Sequence, residues 1–176
     1  RDVSPQNVLL AHEGVVKVAD FGIARADEAG LGRGEDPRVL RGKYAYMSPE
    51  QIARAPLSGA RDQFGLGVML YELLRGKRPF EGETPLVVMD RIKEAAPPDV
   101  RGMDDDVAEL VLRCLARRPE DRFPTTEALA RTLFALRRLR PALGPLDCAE
   151  WVAGQLARIS KAPPTRRLET RPLTQE

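Results

Sequence analysis

The chain has 176 residues, 43% of them hydrophobic and 31% charged, with a formal net charge of +2. That length can bury a sizeable core. So small a net charge, with Lys and Arg interleaved among Asp and Glu, excludes a strongly basic face, and nucleic acid is not an expected partner.

The first stretch reads as loop, strand, turn, strand. Val8-Leu9-Leu10 is a short apolar run, Ala11 to Gly14 gives a turn, and Val15 to Ala19 alternates around Lys17. From Ile23 to Arg41 the composition shifts to Gly, Asp, Glu and Arg, which reads as a long exposed loop. Helices are expected after Pro49. Asp62 to Arg75 carries apolar residues on nearly every face, the mark of a helix buried on all sides, with Gly76 as its C-cap. Further helices are expected at about Thr84 to Glu94, Asp105 to Ala116 and Thr125 to Arg138, the last with Thr125 or Thr126 as N-cap. Pro141 to Pro145 breaks the pattern. Asp147 to Ile159 gives one more amphipathic helix, presenting Trp151, Val152, Leu156 and Ile159. From Ser160 onward there are too few apolar residues to fold.

No apolar run approaches the ~18 residues of a membrane span. Cys114 and Cys148 have no metal-type spacing, and a reducing, cytoplasmic setting is expected; Cys114 reads as a small core residue. The chain starts Arg1-Asp2 without an initiator Met or a signal-like stretch, so a fragment is expected.

Four marks fall in a fixed order. Arg1-Asp2 is followed by Asn7, Asp20-Phe21-Gly22 closes the strand pair, Ser48-Pro49-Glu50 ends the polar loop, and Asp62 opens the apolar helix, with Gly65 and Gly67 close behind. This order resembles the protein kinase superfamily from residue 1 to about residue 138, and its style, with V-S-P-Q-N after Asp2 and A-Y-M-S-P-E-Q later, resembles bacterial Ser/Thr-type kinases. The resemblance implies an α+β kinase-like fold. Residues 1–140 would be a mostly helical large lobe with a short β-ribbon at the catalytic loop, and the small lobe would be absent. Residues 141–160 would be a linker with a short helix, and residues 161–176 a disordered tail.

The implied activity is transfer of the γ-phosphate of ATP, with Mg²⁺, to Ser/Thr hydroxyls of protein substrates. The alternative is a pseudokinase, a binding module of the same fold. Phosphoryl transfer needs an oriented hydroxyl and neutralised phosphate charge more than covalent work by the protein. By resemblance Asp2 orients the substrate hydroxyl, Asn7 and Asp20 give hard oxygen ligands to Mg²⁺, and Leu9 packs under the adenine. Phe21 plugs the core, and Gly22 frees the backbone to switch. Glu50 pairs with Arg122, and Asp62 holds the catalytic-loop backbone.

Several positions depart from the family. Ser4 stands where a phosphate-contacting lysine is usual, and Lys43 stands where a threonine is usual. Both positions approach the catalytic aspartate in the family, so Lys43 is expected to restore the charge that Ser4 lacks. The segment from Ile23 to Gly42 holds no Ser, Thr or Tyr. Arg1 therefore has no loop phosphate to bind, and Glu35 or Asp36 is expected to supply the negative charge instead. No glycine-rich loop or strand lysine of the family precedes Arg1 in this chain, and its only histidine, His12, lies in the strand-strand turn.

Overall fold

The computed structural model describes residues 3–19, 44–56, 58–138 and 144–161. Within them the chain forms a short two-stranded ribbon and six α-helices. The strands are β1 (Val8–Leu10) and β2 (Val16–Val18). The helices are α1 (Pro49–Ile52), α2 (Ala60–Arg75), α3 (Pro85–Glu94), α4 (Asp105–Cys114), α5 (Thr126–Arg138) and α6 (Pro145–Lys161). A mostly helical protein with one small ribbon is the expected α+β class.

Helix boundaries follow from local chemistry. Thr84 Oγ1 accepts the Val87 N–H at 3.4 Å, and Thr125 Oγ1 accepts the Ala128 N–H at 3.0 Å. Each hydroxyl satisfies an amide that the first helical turn leaves without an intrahelical partner. At the other end of α2, Gly76 adopts φ 68° and returns its N–H to the Glu72 carbonyl at 2.8 Å. Glycine takes that left-handed conformation without Cβ strain.

The chain divides into two compact units. The first comprises residues 1–9 and 17–142. Its centre is α2, which packs against α4 and α5, while α1 packs against α3. Phe64 and Val68 of α2 are fully enclosed, joined by Ile92, Val111 and Cys114. Phe64 stacks on Phe80 with ring centroids 5.9 Å apart. Helices α2 and α4 approach so closely that a Cβ on Gly67 would lie 2.7 Å from the Cys114 Cβ. Burial pushes the Cys114 thiol up to about 12, as expected of a small core residue.

The expectation that the helix from Asp62 to Arg75 is buried on all sides is corrected. Phe64, Val68 and Tyr71 are buried and Leu66, Met69 and Leu70 partly so, but Leu73 is 74% and Leu74 52% exposed. In that last turn it is the polar residues that reach other segments, Glu72 accepting from Tyr46 and Arg75 donating to the Arg101 carbonyl at 3.0 Å. The second unit comprises residues 10–16 and 143–176. Its helix, α6, starts two residues earlier than the pattern predicts and leaves Trp151 60% exposed. No helix among the described residues is long and apolar enough to cross a membrane. The expected tail, residues 161–176, is corrected at its start, because Ser160 and Lys161 are the last residues of α6; residues 162–176 lie outside the described residues.

Candidate functional site

The segment just after Asp2 is shaped by backbone hydrogen bonds. Pro5 opens a 3₁₀ turn over Pro5–Asn7, with its fixed φ suited to the first position. The Asn7 N–H returns to the Ser4 carbonyl at 3.0 Å, and the Val8 N–H to the Pro5 carbonyl. Ser4 is 1% exposed, so its side chain is buried. The Asn7 carbonyl then accepts the Ala19 N–H at 2.7 Å, closing the ribbon at its base. Asn7 and the residue directly before Asp20 are therefore neighbours, although twelve positions separate them in sequence. Leu9 in β1 is 53% exposed.

Helix α2 lies against this loop. A Cβ on Gly65 would sit 2.9 Å from the Val3 carbonyl oxygen and 3.4 Å from the Tyr46 carbonyl oxygen. The Val3 approach is too close for a Cβ, so glycine is what lets that segment lie on α2. Asp62 stands one turn earlier, with its Oδ1 3.4 Å from Arg61 Nε.

The segment from Tyr44 to Ile52 is held from both sides. Tyr44, Ala45, Tyr46 and Ser48 are all buried. The Tyr46 hydroxyl donates to Glu72 on α2. Burial first, then that hydrogen bond and the carboxylate charge, raise the phenol above its ordinary range. Ser48 donates through its N–H and its hydroxyl to Gln51 Oε1, at 3.0 and 3.1 Å.

Two residues on, the Glu50 carboxylate accepts from both arms of the Arg122 guanidinium, at 2.7 and 2.9 Å. Arg122 is 1% exposed and also donates to the carbonyls of Ala60, Ala116 and Arg117. Its guanidinium carbon lies 5.0 Å from the Phe64 ring centroid. One planar cation thus joins α1, the start of α2 and the turn before α5. Burial alone would raise the Glu50 carboxyl. The hydrogen bonds from Arg122 and from its own backbone amide, with the guanidinium charge, outweigh burial and hold it below the usual range.

Sequence reasoning missed three of these residues. Gln63, 2% exposed, donates from Nε2 to the Phe123 carbonyl at 3.0 Å and accepts the Phe123 N–H at 3.1 Å. A polar side chain inside an otherwise apolar helix stretch was the available signal. Tyr46 and Glu72 gave none, because either alone reads as an ordinary loop or helix residue. Arg1, Asp2, Asp20, Phe21, Gly22 and Lys43, with Glu35 and Asp36, lie outside the described residues.

Ser4, Asn7, Glu50, Asp62 and Arg122 all lie in the first compact unit. The Asn7 side chain offers an amide oxygen, a hard donor of the kind Mg²⁺ takes, whereas Asp20, expected to share that ion, lies outside the described residues.

Comparison with known proteins matches residues 1–134 to the protein kinase domain family. Tyrosine-protein kinase MasK of Myxococcus xanthus is 40% identical over 137 residues, covering 76% of this chain and 21% of the relative. The probable serine/threonine-protein kinase CE0033 of Corynebacterium efficiens is 36% identical over 146 residues, covering 78% and 22%. Serine/threonine-protein kinase PknB of Mycobacterium tuberculosis is 34% identical over 149 residues, covering 82% and 24%. The chain therefore spans about a fifth to a quarter of the length of these curated relatives.

Proposed function

This chain belongs to the protein kinase family, and from that premise we propose that it forms the catalytic-loop side of a kinase that transfers the γ-phosphate of ATP to Ser or Thr hydroxyls of protein substrates. The observation that carries the proposal is the 2.7 Å hydrogen bond from the Ala19 N–H to the Asn7 carbonyl. It supports a reading in which the side chains at 7 and 20 serve one metal ion.

In this reading Asp2 accepts a hydrogen bond from the substrate hydroxyl and sets its direction of attack. Asn7 and Asp20 would hold Mg²⁺, which when bound neutralises phosphate charge. Leu9, half exposed at the ribbon, offers the apolar surface on which adenine would rest. Ser4 belongs to the scaffold, because an enclosed hydroxyl brings no positive charge to a phosphate. That charge is assigned to Lys43, whose four-carbon stem gives the reach. Phe21 and Gly22 serve as core plug and backbone switch. Asp62 and Gly65, on α2, steady the loop from below. Arg1 pairs with Glu35 or Asp36, so activity would not need loop phosphorylation.

The test is Mg²⁺-dependent ATP turnover by a complete kinase domain carrying these residues. Asp2→Asn should abolish turnover, and Lys43→Ala should lower it by about 10²-fold or more. A domain that binds ATP but turns none over would be a pseudokinase. Near-normal turnover in Lys43→Ala would remove lysine relocation alone. Phosphoamino-acid analysis of the product tests the hydroxyl, since one of the relatives is named a tyrosine-protein kinase and two are named serine/threonine-protein kinases. The 176 residues alone should show negligible turnover, because no glycine-rich loop or strand lysine is among them.

A further inference from the structure

A two-stranded ribbon with three-residue strands is marginally stable by itself. Here it also buries little: Leu9, Leu10, Val16 and Val18 are each about half exposed. Something beyond the ladder must hold it in order.

The second compact unit supplies a candidate, for it groups the ribbon turn, residues 10–16, with the segment that contains α6. Gly14 is buried at the turn, with φ +77°, and its N–H returns to the Ala11 carbonyl at 2.9 Å. A Cβ built on Gly14 would lie 1.8 Å from the Pro145 carbonyl oxygen and 2.7 Å from the Ala149 amide nitrogen. No side chain fits there, so the turn backbone rests directly on the first turn of α6. Glycine is thus required twice, once by its dihedral and once by the approach of the helix.

The helix start that receives the turn is itself fixed. The Gly144 N–H donates to Asp147 Oδ2 at 2.6 Å, and the Cys148 N–H to the Gly144 carbonyl at 3.2 Å. Cys148, Ala149, Val152 and Gln155, one side of α6 by helical spacing, are partly buried, whereas Leu146, Trp151 and Leu156 are exposed. All of α6 lies beyond residues 1–134, the segment matched to the family.

We propose that α6 is an intramolecular clamp on the ribbon. Seated against Gly14, it orders the turn between two strands whose other ends carry Asn7 and Asp20, and its release loosens those ends. The consequence for turnover rests on the reading of Asn7 and Asp20 as metal ligands, whereas the ordering of the ribbon does not.

Two variants of the full 176-residue chain test it, read by hydrogen exchange. Gly14→Asn keeps a residue that tolerates positive φ but drives a Cβ into α6. Ala149→Pro keeps glycine at position 14 but breaks α6 and puts a ring on the amide nitrogen that Gly14 approaches. Both should speed exchange of the Ala11 and Ala19 amides by about tenfold or more, with α2 and α4 protection unchanged. Unchanged ribbon exchange in Ala149→Pro overturns the clamp, even if Gly14→Asn fails to fold. In a complete kinase domain the same variants should raise the Mg²⁺ concentration for half-maximal turnover. Faster ribbon exchange with an unaltered Mg²⁺ requirement would leave the clamp standing and remove Asn7 and Asp20 from the metal site.

Discussion

Removing either partner of the Glu50–Arg122 pair should destabilise the chain more than any single apolar truncation at its surface. Glu50 is 7% exposed and Arg122 1%, so neither charge can turn to water when the other is lost. Glu50→Ala strands a guanidinium that still has three carbonyl partners but no counter-charge. Arg122→Ala strands a carboxylate and leaves the carbonyls of Ala60, Ala116 and Arg117 short of a donor. Breaking a buried pair in this way costs about 3–5 kcal/mol. Set against a domain stability of about 5–15 kcal/mol, that is a large share.

Urea unfolding followed by circular dichroism should therefore show midpoints lower by about 1–3 M for either variant. The double variant Glu50→Ala/Arg122→Ala should lose less than the sum of the two singles, because the second removal strands no charge. Arg122→Lys should fall between wild type and Arg122→Ala, since an ammonium cannot reproduce the two-armed contact with Glu50. The acid limb follows from the same geometry. The Glu50 carboxyl is held below its ordinary value of 4.5, so on acidification the unfolded chain takes up that proton first. The stabilisation is complete above about that pH and is lost as pH falls through the lower folded value. Glu50→Gln should flatten this limb. Single variants within about 1 kcal/mol of wild type, or a strictly additive double variant, would refute the reasoning.

Other outcomes follow from the packing. Gln63→Ala leaves the buried Phe123 N–H and carbonyl without partners and should cost about 2–4 kcal/mol by denaturant unfolding; a loss below 1 kcal/mol would count against the reciprocal pairing. Gly67→Ala places a methyl 2.7 Å from the Cys114 Cβ, so α2 and α4 must part, at a cost of about 1–3 kcal/mol readable as a lower melting temperature. Gly65→Ala presses on the Val3 carbonyl, and in a complete kinase domain it should lower turnover more than it lowers the melting temperature. Thiol titration near neutral pH should find Cys148 reactive and Cys114 silent until the chain unfolds, because burial pushes the Cys114 thiol up to about 12. Two thiols reacting equally fast in the native chain would contradict that.

Local order was legible before any coordinates. Apolar spacing placed α2 to α5 within a few residues, and Gly76 and the Thr125–Thr126 pair marked ends because a cap acts on atoms three or four residues away; the structure takes Thr125 of the pair and adds Thr84 as a cap. The order of Asp2, Asn7, Asp20, Glu50 and Asp62 was equally visible, since the spacing of chemical groups along a chain is itself a sequence property. Burial and partnership were not. An apolar face looks the same whether or not a neighbour covers it, which is why Leu73 and Leu74 were expected inside and stand exposed. The reach of Gln63 to Phe123 spans 60 positions and that of Tyr46 to Glu72 spans 26. Nothing near either end announces the other, because a hydrogen bond is chosen by proximity in space and proximity here is made by helix packing. Gly14 shows both sides at once: its place in a turn was readable from its neighbours, whereas the carbonyl of Pro145 lying against it was decided only when the folded chain brought residue 145 to that turn.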